Sequence, residues 1–175
     1  RILENKGDGR ILACIGPCSV HTPSGLLQYA KLLKDGIDRL NQDIRKRGSK
    51  TCPELFLVVR CYLQKPRSGK KGSSLWPGFL FDPSLDGSFN VEAGIAQSVQ
   101  LMYELTKMRI PIATEFVGAI GVQYYAHMIS YAVVGARTCE SQLHRQIASG
   151  LSAPVGIKNT SSGSIIDAVN ACRFI

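Results

Sequence analysis

Cys18, Arg60, Lys65, Arg67, Glu115, Arg137 and Lys158 each stand at or just beyond the end of a short apolar run in this 175-residue sequence. The five cations among them suit phosphate and carboxylate groups, onto which guanidinium and ammonium donors fork or point. The carboxylate can hold or move a proton, and a thiol among positive charges ionises to a nucleophile and soft metal ligand. Taken singly, an Arg or Lys after an apolar run is more often a solvated side chain, and Cys18 a small buried hydrophobe. The weight lies in five runs that end alike.

Patterns that would direct the chemistry elsewhere fail on spacing. Lys65 to Gly72 has the composition of a phosphate loop, but it lacks the GxxxxGK[ST] spacing and does not lead directly into a helix. Gly16-Pro17-Cys18-Ser19 stands where a glycine-rich dinucleotide fingerprint would be, which argues against a nicotinamide enzyme. His21, His127 and His144 are too far apart for a helical HxxxH zinc site, and a structural or hydrogen-bonding role is expected for all three. Arg45, Lys46 and Arg47 close the first helical segment, where positive charge is stabilising whatever the function. With bases at strand ends and no aromatic residues interleaved, no nucleic-acid partner is expected.

The elements that must position these groups alternate short apolar runs with longer segments of helical period, the pattern of βα units around a parallel sheet. Ile11 to Ile15 opens the first unit. Thr22 is its helix N-cap with Pro23 at the first helical position, and Leu26, Ala30, Leu33, Ile37, Leu40 and Ile44 form one apolar stripe. Leu55 to Val59 is a second strand, followed by a Gly/Ser/Pro-rich loop from Pro66 to Ser88 and a helix carrying Ile95, Val99, Met102 and Leu105. Runs at Ile112 to Thr114, Ala132 to Val134 and Val155 to Ile157 open three more units, with helices near 122–129, near 140–149 and from about 164. In a parallel α/β sheet the C-terminal strand ends share one rim, so the seven side chains are expected to converge there.

Hydrophobic residues make up 45% of the sequence and charged residues 19%, which excludes a mainly disordered chain. A single domain over residues 1–175 is expected. No apolar run approaches the ~18–20 residues of a membrane span, and no basic-then-apolar leader follows Arg1, so neither a membrane partner nor a signal peptide is expected. Arg1 in place of Met points to a start further upstream. Six cysteines without a CxxC pair read as reduced thiols of a cytoplasmic protein. The excess of Lys and Arg (21) over Asp and Glu (13), a net charge of +8, favours anionic partners, and the rim gives it an address.

Five stretches carry a family likeness: Gly16 to His21 (GPCSVH), Lys65-Pro66-Arg67, Asp82 to Asp86 (DPSLD), Gly135 to Arg145 (GARTCESQLHR) and Ala148 to Asn159 (ASGLSAPVGIKN). In order and spacing the chain resembles the type I 3-deoxy-D-arabino-heptulosonate 7-phosphate (DAHP) synthases over essentially its whole length. The resemblance implies a TIM (β/α)8 barrel, here only about the first five β/α units. It implies a transferase that condenses phosphoenolpyruvate with erythrose 4-phosphate and releases phosphate, the first step of the shikimate pathway towards chorismate and the aromatic amino acids. It also implies a divalent metal, Mn2+ or Fe2+, with Cys18 as thiolate ligand. Carried over residue by residue, Arg60 and Lys65 hold the phosphoenolpyruvate carboxylate, Lys65 is also a proton carrier, and Glu115 lies near that substrate and the attacking water. Arg137, the Ala136 amide and Lys158 match the phosphate site of phosphoenolpyruvate, while Arg67 and Ser68 match the clamp on the phosphate of erythrose 4-phosphate. Phe116, Gln123 and Ser152 match positions near a pocket for a feedback inhibitor, phenylalanine or tyrosine, with Ser152 leaning towards phenylalanine. A homo-oligomer is expected.

The sequence also departs from the family. Gln64 to Ser68 reads QKPRS for the usual EKPRT, and the stretch Gly69 to Gly78 replaces GWKG and loses its lysine. Thr22, Thr114 and Gly118 stand for Asp, Gly and Asp, and Asn159 to Gly163 reads NTSSG for NGTDG. At about 35 residues per unit, eight units need about 280 residues, in line with the ~250 of a full barrel. Three strands, and with them a His, a Glu and an Asp as metal ligands and a further Arg, are expected beyond the chain. The expectation is a synthase of which this part alone is inactive. The alternative is a non-catalytic truncated homologue acting as a regulatory or interaction subunit. Either way, open strand edges at Ile11 to Ile15 and Val155 to Lys158 favour aggregation or partner pairing.

Overall fold

Five apolar runs extend side by side in the computed structural model, which describes residues 2–4, 6–48, 52–66, 75–173 and 175. The strands are β1 (Ile11–Ile15), β2 (Leu55–Arg60), β3 (Ile112–Phe116), β4 (Tyr131–Val134) and β5 (Val155–Ile157), paired in the order β1-β2-β3-β4-β5. Every pairing is parallel. A doubly wound sheet reverses its strand order at a switch point, whereas a barrel adds each strand beside the last. The sequential order makes this a half-barrel, as the family resemblance implies.

A helix follows each strand: α1 (Pro23–Arg47), α2 (Val91–Lys107), α3 (Ala119–Tyr125) with a 3-10 turn over Ala126–Met128, α4 (Gln142–Ser149) and α5 (Ile165–Arg173). The core lies between helices and sheet, where Leu63, Leu80, Leu101, Met102, Phe116 and Tyr125 are fully buried. On α1 the expected stripe holds at Leu26, Ala30 and Ile37, but Leu40 is 46% exposed and Asn41 is buried in its stead. The reason is a backbone demand. Asn41 Nδ2 donates to the Leu55 carbonyl at 2.8 Å and its Oδ1 accepts from the Leu55 N–H at 2.8 Å, fastening α1 to the start of β2.

The segment between β2 and α2 is packed where it is described. The Lys65 N–H donates to the Pro77 carbonyl at 2.8 Å, the Leu80 N–H to the Leu63 carbonyl at 3.0 Å, and Trp76 Nε1 to the Asp82 carbonyl at 2.9 Å. Gly78, at φ +110°, meets the backbone of Leu63 and Gln64 so closely that a Cβ would stand 2.6–2.9 Å from it. Only glycine suits both the conformation and the approach. The expected phosphate clamp, Arg67 and Ser68, lies outside the described residues.

Candidate active site

The site starts at the end of β1. Gly16 passes over the last residue of β2 so closely that a Cβ would lie 2.7 Å from Arg60 Cβ and 2.8 Å from its carbonyl oxygen. The chain then turns and presents Cys18 on the rim. Lys65, anchored by its N–H on Pro77, extends its ammonium to the Cys18 carbonyl at 3.0 Å and to Cys18 Sγ at 2.8 Å. That hydrogen bond, helped by the charges of Lys65 and Arg60, holds the Cys18 thiol below its ordinary pKa despite some desolvation.

Arg60 ends β2, and Tyr62 lies two residues on, on the same side of the extended chain. The Arg60 guanidinium covers the Tyr62 ring at 4.3 Å from its centroid, and the Lys158 ammonium lies 5.7 Å from the same centroid. Lys158 follows β5, its N–H donating to the Val134 carbonyl at 3.0 Å, and its ammonium pairs with the Glu115 carboxylate. Glu115 lies inside β3 and is 7% exposed, so the strand buries a charge that its partner neutralises. Gly135 follows β4, and a Cβ there would collide with the Glu115 carboxylate. The turn it opens closes with Thr138 N–H on the Gly135 carbonyl at 3.1 Å and carries Ala136 and Arg137 at its centre, Arg137 being exposed.

Sequence reasoning placed Cys18, Arg60, Lys65, Glu115 and Lys158 together, and the structure joins them as a thiol–ammonium pair beside a carboxylate–ammonium pair. Tyr62 was missed. Its signal was a buried aromatic two residues beyond Arg60, just past the end of β2, which reads as core until its neighbours are known. Two of the three histidines, His144 and His21, make contacts of the structural kind expected. His144 Nε2 donates to the Val117 carbonyl at 3.1 Å while Nδ1 accepts from the Ser141 hydroxyl at 2.8 Å, tying the loop after β3 to the start of α4. His21 stacks on Trp76 with centroids 4.8 Å apart.

The implied metal does not find a complete donor set here. Among the described residues no group of three or more His, Cys, Asp or Glu side chains could hold a metal ion, and Cys18 Sγ is engaged by Lys65. A catalytic site takes about three protein ligands, so these residues alone do not make one. Of the expected effector positions, Phe116 is buried in the core, Gln123 is exposed on α3 and bonds the Ala119 carbonyl of its own helix at 3.5 Å, and Ser152 is exposed before β5. No helix among the described residues is long and apolar enough to cross a membrane.

Residues 3–174 match the DAHP synthetase I family. The phospho-2-dehydro-3-deoxyheptonate aldolase of Schizosaccharomyces pombe, tyrosine-inhibited, is 44% identical over 170 residues, which cover 95% of this chain and 42% of that protein. The Tyr-sensitive enzyme of the same name from Escherichia coli K12 is 42% identical over 166 residues, again 95% and 42% of the two chains. A solved phospho-2-dehydro-3-deoxyheptonate aldolase from Francisella tularensis superposes with a TM-score of 0.83 at 38% identity, over 95% of this chain and 45% of that one. One from Thermotoga maritima shares the fold at a TM-score of 0.62 and 18% identity, over 96% of this chain and 38% of that one. The chain thus spans less than half the length of the relatives it matches.

Proposed function

Because this chain belongs to the DAHP synthetase I family, we propose that it carries the phosphoenolpyruvate-binding half of a synthase that joins phosphoenolpyruvate to erythrose 4-phosphate. The observation that supports this most is the convergence, from the ends of β2, β3 and β5 and the turn after β1, of Arg60, Lys65, Glu115, Lys158 and Cys18. Arg60 and Lys65 take the carboxylate of phosphoenolpyruvate; Lys158, Arg137 and the Ala136 amide take its phosphate; Arg67 and Ser68 take the phosphate of the second substrate. Holding two anions side by side offsets their repulsion and turns a collision of two molecules into a reaction within one complex.

In the reaction the enol carbon of phosphoenolpyruvate bonds to the aldehyde carbon, whose oxygen gains a proton. Water adds to the carbon bearing the phosphate, and phosphate departs as that carbon becomes a ketone. Glu115, within the water-poor strand layer, is placed to take a proton from the water. Lys65 is the group with an ammonium proton to give on the Cys18 side of the site. Cys18 offers one ligand to the divalent metal, Mn2+ or Fe2+, that the family resemblance implies. Relatives named for tyrosine sensitivity support feedback control by an aromatic amino acid.

The test is calorimetric titration of phosphoenolpyruvate into the chain. Binding is expected, weakened about tenfold or more by Arg60→Ala. No binding to the unaltered chain sinks the proposal, and binding without turnover in the natural full-length product favours a non-catalytic homologue.

A further inference from the structure

The Tyr62 ring meets two of the site's cations, yet neither the family resemblance nor the chemistry above gives it a task. Its side chain is 7% exposed, and the Arg60 guanidinium and Lys158 ammonium stand 4.3 and 5.7 Å from its centroid. Both distances lie within the ~6 Å over which an aromatic face attracts a cation, and burial strengthens that attraction by keeping water from screening it.

The two cations are held differently. Lys158 has the Glu115 carboxylate as partner. Among the described residues, no carboxylate lies within ion-pair distance of Arg60, and its buried Nε has no hydrogen-bond partner. The contact the structure does show for the guanidinium is the aromatic face. A carboxylate in that place would occupy the N–H fork, and an incoming anion would have to displace it. A ring face holds the guanidinium by its flat side and leaves the in-plane donors for a ligand. A phenol is uncharged through the neutral range, and burial pushes that of Tyr62 further up, to about 12.

We propose that Tyr62 is a positioning residue, whose ring face aims Arg60 and spaces it from the Lys158–Glu115 pair, so that the Arg60 donors remain free to bind the carboxylate of a phosphorylated carboxylate such as phosphoenolpyruvate. This rests on the phosphoenolpyruvate-binding reading above, and the test separates the two.

The full chain, labelled with 15N-arginine, is compared with Tyr62→Phe, which keeps the ring, and Tyr62→Met, which keeps bulk without a π face. Two quantities are read: the ring-shifted Arg60 Nε–H resonance, and the affinity for phosphoenolpyruvate by calorimetry. The Phe variant is expected within about twofold of the unaltered chain and with the Arg60 resonance in place. The Met variant is expected to bind about tenfold more weakly, with that resonance moved. Equal affinity and an unmoved resonance in the Met variant overturn the proposal. If the unaltered chain binds no phosphoenolpyruvate while the resonance still moves with Met and not with Phe, the positioning role stands and the ligand assignment falls. Should Tyr62→Met fail to fold, trifluorophenylalanine at position 62 keeps the shape and removes the negative face. Affinity equal to that of Tyr62→Phe would then overturn the proposal.

Discussion

Lys65 Nζ and Cys18 Sγ are 2.8 Å apart, and the lowered thiol pKa has a sign that can be read directly. A thiol with a lowered pKa is a thiolate at pH values where an ordinary cysteine, titrating near ~8.5, is still protonated. With chelator present, iodoacetamide labelling of Cys18, followed by peptide mass mapping, is expected to reach half its limiting rate below that value. Lys65→Met is expected to move the midpoint upward, and an unmoved midpoint would remove the pairing. Gly135→Ala gives a second check, because its Cβ would collide with the Glu115 carboxylate whereas a Cβ at Gly9 meets nothing within 4 Å. Gly135→Ala should cost about 1–3 kcal/mol in urea unfolding, with Gly9→Ala near neutral. The residue types of the site were legible because strand ends share a rim. Which cation faces which anion was not, since Lys65 and Cys18 are 47 positions apart and spacing carries no trace of their contact.

At the scale of elements, the joint between α1 and β2 depends on Asn41. Removing its side chain leaves the Leu55 N–H and C=O, both in bonds of 2.8 Å, without partners. Asn41→Ala is therefore expected to lower the unfolding free energy by about 1–3 kcal/mol, measured by urea denaturation; a loss below ~0.5 kcal/mol would mean the clamp is idle. The five strands were legible from their apolar runs, and β1 and β5 run over the residues expected. Leu40 was misread because a stripe counts hydrophobic positions and cannot see that the facing backbone needs a polar partner. Glu115 was expected beyond its strand and lies within it, because Lys158 and the missing side chain of Gly135 make a buried carboxylate tolerable. No local pattern announces that compensation.

Across the whole molecule, the sheet curls as a half-barrel with β1 and β5 at its edges, and apolar side chains such as Ile11 and Ile165 are 53% and 72% exposed. Its core binds protons that an unfolded chain would release in alkali. Burial pushes both Cys61 and Tyr62 up to about 12, above the ~8.5 and ~10 of free groups. Groups whose folded pKa is raised contribute stability that is full below the unfolded values and lost as pH climbs towards the folded ones. The thermal midpoint is thus expected to fall between pH 9 and pH 11 by differential scanning fluorimetry, and a flat profile would contradict the burial of these groups. The most direct test of the central claim is a coupled assay of phosphate release and heptulosonate formation from phosphoenolpyruvate and erythrose 4-phosphate, with manganese, on the natural full-length product containing this sequence. The account predicts both products in equal amounts, with the rate falling at least tenfold on Arg60→Ala. Absence of both products, with no binding of phosphoenolpyruvate, would contradict it.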